Sequence, residues 1–270
     1  MDRFLMTVGK AAYIALIVLT VLYLLFPLLI MLPISVNEIN DLRFPPVGFS
    51  LKWYVAFFED AAWVNAFINS TKVAAGTVIV SVTLGTLAAI GLNEAAPRLR
   101  GPLQGYLLVP IFSPVIVMAI GIFMVFSRWG ISGTLPGLIL AHSILAIPLV
   151  IVAVLAALQT MPANLAQAAS GLGASRLRVF FRVKLPLLKA GVFSGAVFAF
   201  ITSWDEAVIS TFLSSPVTKT LPVLIWGGVQ TGLTPIIAAV GSVMVLFTAF
   251  AFVIVWFVRM RKATVQEKHA

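Results

Sequence analysis

The chain alternates between long apolar runs and short polar connections, and this pattern predicts its secondary structure. A helix that crosses a lipid bilayer needs about 20 mostly apolar residues. Six runs meet that requirement, at residues 11–34, 66–92, 105–127, 135–157, 189–209 and 234–258. The pattern therefore predicts an all-α, polytopic membrane protein with about six transmembrane helices in a single domain, residues 1–270.

The composition excludes a soluble protein. Of the 270 residues, 61% are hydrophobic and only 10% are charged, and the mean hydropathy is +1.08. Soluble domains carry about a quarter charged residues. The first run, 11–34, is longer than the apolar core of a signal peptide, about 7–15 residues, and no small-residue cleavage pattern follows it. We expect it to be retained as a transmembrane helix.

The basic residues predict the orientation of the chain. If the N-terminus lies in the cytoplasm, 13 of the 18 Lys and Arg residues fall in inside segments. These residues are Arg3, Lys10, Arg98, Arg100, Arg176, Arg178, Arg182, Lys184, Lys189, Arg259, Arg261, Lys262 and Lys268. Cytoplasmic loops of membrane proteins are enriched in Lys and Arg, so both termini are predicted to be cytoplasmic. The same rule accounts for the net charge of +9 without any nucleic-acid partner.

Several kinds of chemistry are excluded by the residues that the chain lacks. It has no cysteine, which rules out disulfides, thiolate metal sites and cysteine catalysis. Its two His and nine acidic residues show no metal-ligand spacing. No nucleophile is paired with a base. The sequence therefore predicts neither catalytic residues nor a metal site, and the chain is not expected to be an enzyme.

Residues 35–65 form a long connection on the predicted external side. Trp53, Tyr54, Phe57 and Phe58 are concentrated near its end. Aromatic residues of this kind gather at the headgroup level of a bilayer. The cluster is either such an interfacial belt or a docking site for an external partner, and the sequence leaves both open.

A second long loop, residues 158–188, lies on the predicted cytoplasmic side. Small residues predict a short helix over 165–171, which Gly171 and Gly173 end. A second helical segment begins at Ser175, and Pro186 is expected to stop it because proline disfavours helix in the residue before it. This hairpin is too small to fold alone, so it needs a partner surface or an anionic membrane.

The spacing within this loop resembles the Glu-Ala-Ala loop of binding-protein-dependent ABC importer permeases. The family pattern is Glu-Ala-Ala, three residues, Gly, nine residues, Ile, one residue and Leu-Pro. The matching positions are Gln167, Ala168, Ala169, Gly173, Val183, Leu185 and Pro186. Gln167 replaces the family Glu and removes a charge, although an amide can still form hydrogen bonds. Val183 replaces Ile conservatively.

The resemblance implies that residues 158–188 are a coupling loop that docks into a groove on a separate ATPase subunit. No G-x-x-x-x-G-K-[ST] phosphate loop occurs in the chain. ATP and magnesium are therefore expected on two partner ATPase subunits, with no cofactor bound here. The family also implies a second, non-identical permease, an external solute-binding protein and a location in the bacterial inner membrane. An ATP-independent secondary transporter is the alternative.

Ionisable residues inside the predicted spans mark candidate functional positions. Trp204, Asp205 and Glu206 fall in the fifth run. The two acids either line the solute path and favour a cation, or end a helix at the outer interface against the partner permease. His142 lies within the fourth run, where a proton relay is possible in principle but a hydrogen bond between helices is expected.

Several short segments resemble the polyamine (spermidine/putrescine) branch of these permeases. They are 44–46, 69–72, 203–206, 218–222, 225–226 and 234–239. The resemblance implies a polyamine or a related cationic solute. Importers of opines, amino acids, phosphonates, thiamine and iron share much of the pattern, so they remain alternatives.

Overall fold

The computed structural model describes residues 2–162, 164–232 and 234–267, and all regular structure in these ranges is helical. The helices are α1 (Asp2–Ile34), α2 (Lys52–Glu59), α3 (Ala61–Glu94), α4 (Pro97–Phe112), α5 (Val115–Arg128), α6 (Leu135–Gln159), α7 (Asn164–Gly171), α8 (Arg176–Val179), α9 (Leu185–Leu187), α10 (Lys189–Trp204), α11 (Val208–Leu213), α12 (Leu221–Thr231) and α13 (Pro235–Glu267), with a π-helical turn at Phe180–Lys184. The predicted all-α fold class is confirmed.

The number of membrane spans depends on how two bent helix pairs are counted. Four stretches are long and apolar enough to cross a bilayer by themselves: Ala12–Ile34, Ala61–Glu94, Leu135–Gln159 and Pro235–Val253. Two bent pairs add one span each if the pair crosses together: Pro97–Phe112 with Val115–Arg128, bent by 102°, and Arg176–Leu187 with Lys189–Trp204, bent by 73°. The described residues thus accommodate four to six spans.

The predicted third span, 105–127, is not one straight helix. Helix α4 ends at Phe112, and α5 begins at Val115. Between them Ser113 is extended, with φ −82° and ψ 137°. Pro114 explains the break, because proline has no N–H to continue the helix and excludes the helical conformation from the residue before it.

The chain divides into two compact units, Ala62–Leu224 and the combination of Met1–Ala61 with Ile225–Ala270. In the first unit, α10 packs closely on α6. The contact depends on glycine: a Cβ at Gly191 would lie 2.5 Å from the Cβ of Ala157, and one at Gly195 would lie 3.0 Å from Cγ1 of Val150. Small residues at helix interfaces are how transmembrane helices approach closely in lipid.

In the second unit, α13 packs against α1 and α2. The connection between α1 and α2 is organised around Asn37, which is fully buried. Its Nδ2 donates to the carbonyl of Asp41 at 2.9 Å, its Oδ1 accepts from the N–H of Val47 at 3.0 Å, and its carbonyl accepts from Trp53 Nε1 at 2.7 Å.

Part of the aromatic cluster predicted at the end of this connection is therefore structural. Trp53 is hydrogen-bonded, the hydroxyl of Tyr54 lies 2.7 Å from Oγ of Ser35, and Phe57 is buried. Phe58 keeps 69% of its surface exposed. Of the four aromatic residues, Phe58 is the one most accessible to the headgroup region or to an external partner.

Candidate functional site

The first half of the coupling loop ends in a defined helix cap. Beyond α7, the N–H of Ala174 donates to the carbonyl of Ala169 at 3.1 Å, and the N–H of Gly173 donates to the carbonyl of Ser170 at 3.0 Å. These two bonds form a Schellman motif, which requires a left-handed residue after the helix. Gly173 has φ +83° and supplies it. The spacing between Ala169 and Gly173 in the motif therefore has a geometric cause.

The second half of the coupling loop differs from the prediction. The second helical segment begins at Ser175, as predicted, and the Ser175 hydroxyl caps α8 by accepting from the N–H of Arg178 at 3.4 Å. Pro186, however, does not end the helical segment, which runs on through Leu187. The reason is the π-helical turn Phe180–Lys184 just before it. A π turn shifts the hydrogen-bond register, so that the missing N–H and the ring of a following proline are tolerated.

The residues of the Glu-Ala-Ala pattern lie on both halves of this loop. Gln167, Ala168, Gly173 and Pro186 are exposed, whereas Ala169, Val183 and Leu185 are half-buried. The loop also exposes large apolar side chains: Leu172 by 89%, Leu177 by 72% and Phe181 by 61%. Their docking role is a prediction from the motif.

A groove of about 850 Å³ separates the coupling loop from the end of α3. Its lining residues are Leu87, Ile90, Glu94, Gln167, Ser170, Arg176, Leu177, Val179, Phe180, Phe181 and Lys184. An ion pair between Lys184 and Glu94 crosses it. Lys184 is 17% exposed and Glu94 57%. The sequence does not predict this pair, because a pairing between residues 90 positions apart leaves no signal in a single sequence.

The acidic pair lies in a helix break and not within a continuous span. The predicted fifth span, 189–209, is wrong at its end, because α10 stops at Trp204 and a new short helix, α11, starts at Val208. Asp205 follows the last residue of α10 and is exposed. Glu206 is half-buried, and its Oε1 accepts from the N–H of Ile209 at 2.7 Å, which satisfies a free N–H in the first turn of α11.

Trp204 differs from the two acids in its surroundings. It is 4% exposed, it stacks on Phe200 with ring centroids 5.6 Å apart, and it contacts Phe67 edge to face at 5.9 Å. A tryptophan packed between two helices stabilises the bundle. Of the three predicted solute-path residues, the structure thus exposes Asp205, half-buries Glu206 and buries Trp204.

His142 forms the hydrogen bonds between helices that the sequence predicted. Its two ring nitrogens lie 2.9 Å from Oγ of Ser203 and 2.9 Å from Oγ of Ser210. Ser210 is not among the residues predicted from the sequence. The available signal is a hydroxyl residue within an apolar segment, which commonly bonds to a neighbouring helix in membrane proteins.

Among the described side chains, no group of three or more His, Asp and Glu residues is placed to hold a metal ion. The carboxylates are instead used singly. Glu94 pairs with Lys184, and Glu206 accepts from an N–H in the first turn of α11.

Comparison with known proteins gives these features a family. Residues 81–262 match the family described as "Binding-protein-dependent transport system inner membrane component". This range contains the whole coupling loop, Trp204, Asp205 and Glu206.

Named relatives agree with this match. The chain is 31% identical to the spermidine/putrescine transport system permease protein PotC of Haemophilus influenzae, over 84% of this chain and 88% of the relative. It is 28% identical to the putrescine transport system permease protein PotI of Escherichia coli K12, over 92% of this chain and 90% of the relative.

A solved structure supports the fold. A chain of a bacterial ABC transporter that imports the acidic polysaccharide alginate superposes with a TM-score of 0.71 at 15% identity, covering 94% of this chain and 96% of that one. The chain belongs to the binding-protein-dependent transport system inner membrane components, and it is a multi-pass permease subunit of an ABC importer.

Proposed function

We propose that this permease carries a polyamine, or a closely related cationic solute, across the bacterial inner membrane. The observation that carries the proposal is the match over most of the chain to two relatives that are named for spermidine and putrescine transport. The exposed carboxylate of Asp205 is consistent with a solute that bears ammonium groups, because an anionic side chain on the path favours cations.

In this proposal two ATPase subunits drive transport and supply the sites for ATP and magnesium, while this chain binds no cofactor. The coupling loop lies in the cytoplasm with both termini, and Leu172, Leu177 and Phe181 enter a groove on the ATPase. Such exposed apolar side chains on a loop mark a protein interaction site. Closure of the ATPase dimer then moves the helices as rigid bodies between inward-open and outward-open states.

Two further partners complete the proposed assembly. A second permease, not identical to this chain, forms the other half of the path. An external solute-binding protein delivers the solute, in keeping with the family description. The break between α10 and α11 then lies toward the external side, where Asp205 meets the solute after its release from the binding protein.

Uptake of radiolabelled spermidine tests the proposal in cells that express the complete importer with or without its ATPase. We expect uptake that requires the ATPase and that unlabelled putrescine reduces by competition. Uptake that persists without the ATPase would instead indicate a secondary transporter. If the same importer takes up an unrelated solute and no spermidine, the proposal that this permease carries a polyamine is wrong.

The role of Asp205 has its own test. Asp205→Asn should lower spermidine uptake while the ATPase still copurifies with the permease. Glu59→Gln is the matched control, because it makes the same carboxylate-to-amide change at an exposed residue of α2, remote in sequence from the break. Equal uptake kinetics for Asp205→Asn and the unaltered chain would show that Asp205 does not contact the solute.

A further inference from the structure

A single imidazole connects the two sides of the helix break that carries the acidic residues. His142, on α6, is fully buried. Its Nδ1 lies 2.9 Å from Oγ of Ser203, and its Nε2 lies 2.9 Å from Oγ of Ser210. A neutral imidazole donates from one nitrogen and accepts at the other, and a hydroxyl can do either. Because the hydroxyl of Ser203 donates elsewhere, to Thr77, both bonds form at once when the ring proton is on Nδ1: Nδ1 donates to Oγ of Ser203, and Nε2 accepts from the hydroxyl of Ser210.

The two serines stand on either side of the break. Ser203 is the penultimate residue of α10, and Ser210 lies in the first turn of α11. Residues 204–209 lie between them, and 205–207 form the break. Holding both hydroxyls on one ring fixes the distance between the end of one helix and the start of the next, and with it the conformation of the residues between.

Further bonds attach this arrangement to the rest of the bundle. The hydroxyl of Ser203 donates to Oγ1 of Thr77 on α3 at 3.3 Å. Thr77 is itself fully buried and bonds to the carbonyl of Ile139 on α6. On the far side of the break, the carboxylate of Glu206 is bonded to the N–H of Ile209. The break is thus fastened at both ends, and the exposed Asp205 lies between the fastened ends.

We propose that His142 is a positioning residue, which holds the α10–α11 break in one conformation and thereby sets where Asp205 presents its carboxylate to the solute. Opening the break would leave buried polar groups without partners, and an apolar interior makes that costly. The second clause of this proposal, that the break places the Asp205 carboxylate for the solute, rests on the proposed function, because it assumes that Asp205 contacts the solute. The first clause does not.

A thiol placed in the break tests the first clause without any solute. The chain has no cysteine, so Ala207→Cys introduces a single reactive group between Glu206 and α11. In the purified importer we expect Ser210→Ala to raise the rate of maleimide labelling at this position about fivefold, the ratio that corresponds to one lost hydrogen bond, and we expect His142→Leu, which removes both bonds, to raise it further. Ser210→Ala removes one of the two bonds with little loss of volume, and it should raise the rate even if His142→Leu does not fold.

Ser143→Ala is the matched control. Ser143 is buried next to His142 in the sequence, but its hydroxyl bonds to the carbonyl of Ile139 on its own helix, at 2.7 Å. Removing that hydroxyl leaves the break fastened, so the labelling rate should not change. Equal labelling rates in the His142→Leu, Ser210→Ala and Ser143→Ala backgrounds would overturn the proposal.

Uptake kinetics of radiolabelled spermidine test the second clause. In Ser210→Ala we expect KM to rise about fivefold, with the maximal rate and ATPase copurification unchanged, since only the placement of the carboxylate is altered. His142→Asn keeps a polar group near the position of Nδ1, so its KM should rise less than that of His142→Leu. An unchanged KM together with faster labelling would overturn the second clause alone. Failure of the unaltered importer to take up spermidine would overturn the proposed solute, and the labelling rates would still decide the role of His142.

Discussion

The hydroxyl of Ser70, on α3, accepts a hydrogen bond from the backbone N–H of Leu221, at the start of α12, at 2.8 Å. The neighbouring side chain of Asn69 donates from Nδ2 to the carbonyls of Val217 and Lys219, at 3.0 and 3.1 Å. The segment before α12 is therefore fixed to α3 across about 150 residues of sequence. Ser70 and Leu221 lie in two of the segments that resemble the polyamine branch, 69–72 and 218–222. The hydrogen bonds give both segments a structural role, which is to hold the loop before α12 on α3.

Asn69→Ala is expected to lower the stability of the permease. Asn69 is 8% exposed, and its loss leaves two backbone carbonyls with no side-chain partner. Both carbonyls belong to exposed residues, so the expected loss is the net value of a hydrogen bond, about 0.5–1.5 kcal/mol. A fall in the thermal unfolding temperature of the detergent-solubilised protein measures the effect. Thr71→Ala is the control, because that hydroxyl bonds to the carbonyl of Phe67 within the same helix and should matter little.

Gly191→Ala is expected to disrupt the contact between α10 and α6. The added Cβ would lie 2.5 Å from the Cβ of Ala157 and 2.9 Å from the carbonyl oxygen of Ala153, so the helices must separate. Overpacking of this kind costs about 1–3 kcal/mol. Gly91→Ala on α3 makes the same change where no atom lies within 4 Å. A comparison of the two unfolding temperatures checks the prediction, and an equal effect of both variants would contradict it.

Gly173→Ala is expected to weaken attachment of the ATPase while the transmembrane helices stay intact. At φ +83° an L side chain costs about 1–2 kcal/mol, which opposes the Schellman motif that ends α7. Copurification of the ATPase with tagged permease is the measurement. Gly171→Ala serves as the control, since it is helical, has open space around it and should retain the ATPase. Full retention of the ATPase by Gly173→Ala would show that docking does not depend on this helix cap.

The ion pair between Glu94 and Lys184 is expected to hold the second half of the coupling loop to α3. Because Glu94 is 57% exposed, the pair should contribute only about 0.2–1 kcal/mol. Lys184→Glu places two carboxylates together and should reduce ATPase-dependent uptake. The charge-exchanged double variant, Glu94→Lys with Lys184→Glu, should restore it. If the double variant is no better than the single one, the pair has no role in coupling.

Much of the fold and of the coupling loop could be predicted because the physical constraint acts locally. A bilayer demands about 20 apolar residues per crossing, and that requirement is visible in residues 11–34 or 135–157 without any knowledge of neighbours. In the coupling loop, the end of α7 follows from Gly173, a residue with its own conformational preference. Pro186 shows the limit of local rules, because a π-helical turn before it removed the expected stop.

The placement of the acids could not be predicted for a different reason. In a membrane protein, side chains that face lipid and side chains that face other helices are both apolar, so the pattern does not show which face of a helix meets which partner. Hence the run 189–209 looked continuous, although α10 ends at Trp204.

By itself, then, the sequence determined that this chain is a helical membrane permease, and it predicted a coupling role for residues 158–188, because lipid and a short motif impose their demands along the chain. Only the tertiary structure decided that His142 reaches Ser203 and Ser210 and that Lys184 reaches Glu94. Those contacts join residues 61 to 90 positions apart. They depend on how the helices pack, and no local preference of the residues encodes that packing.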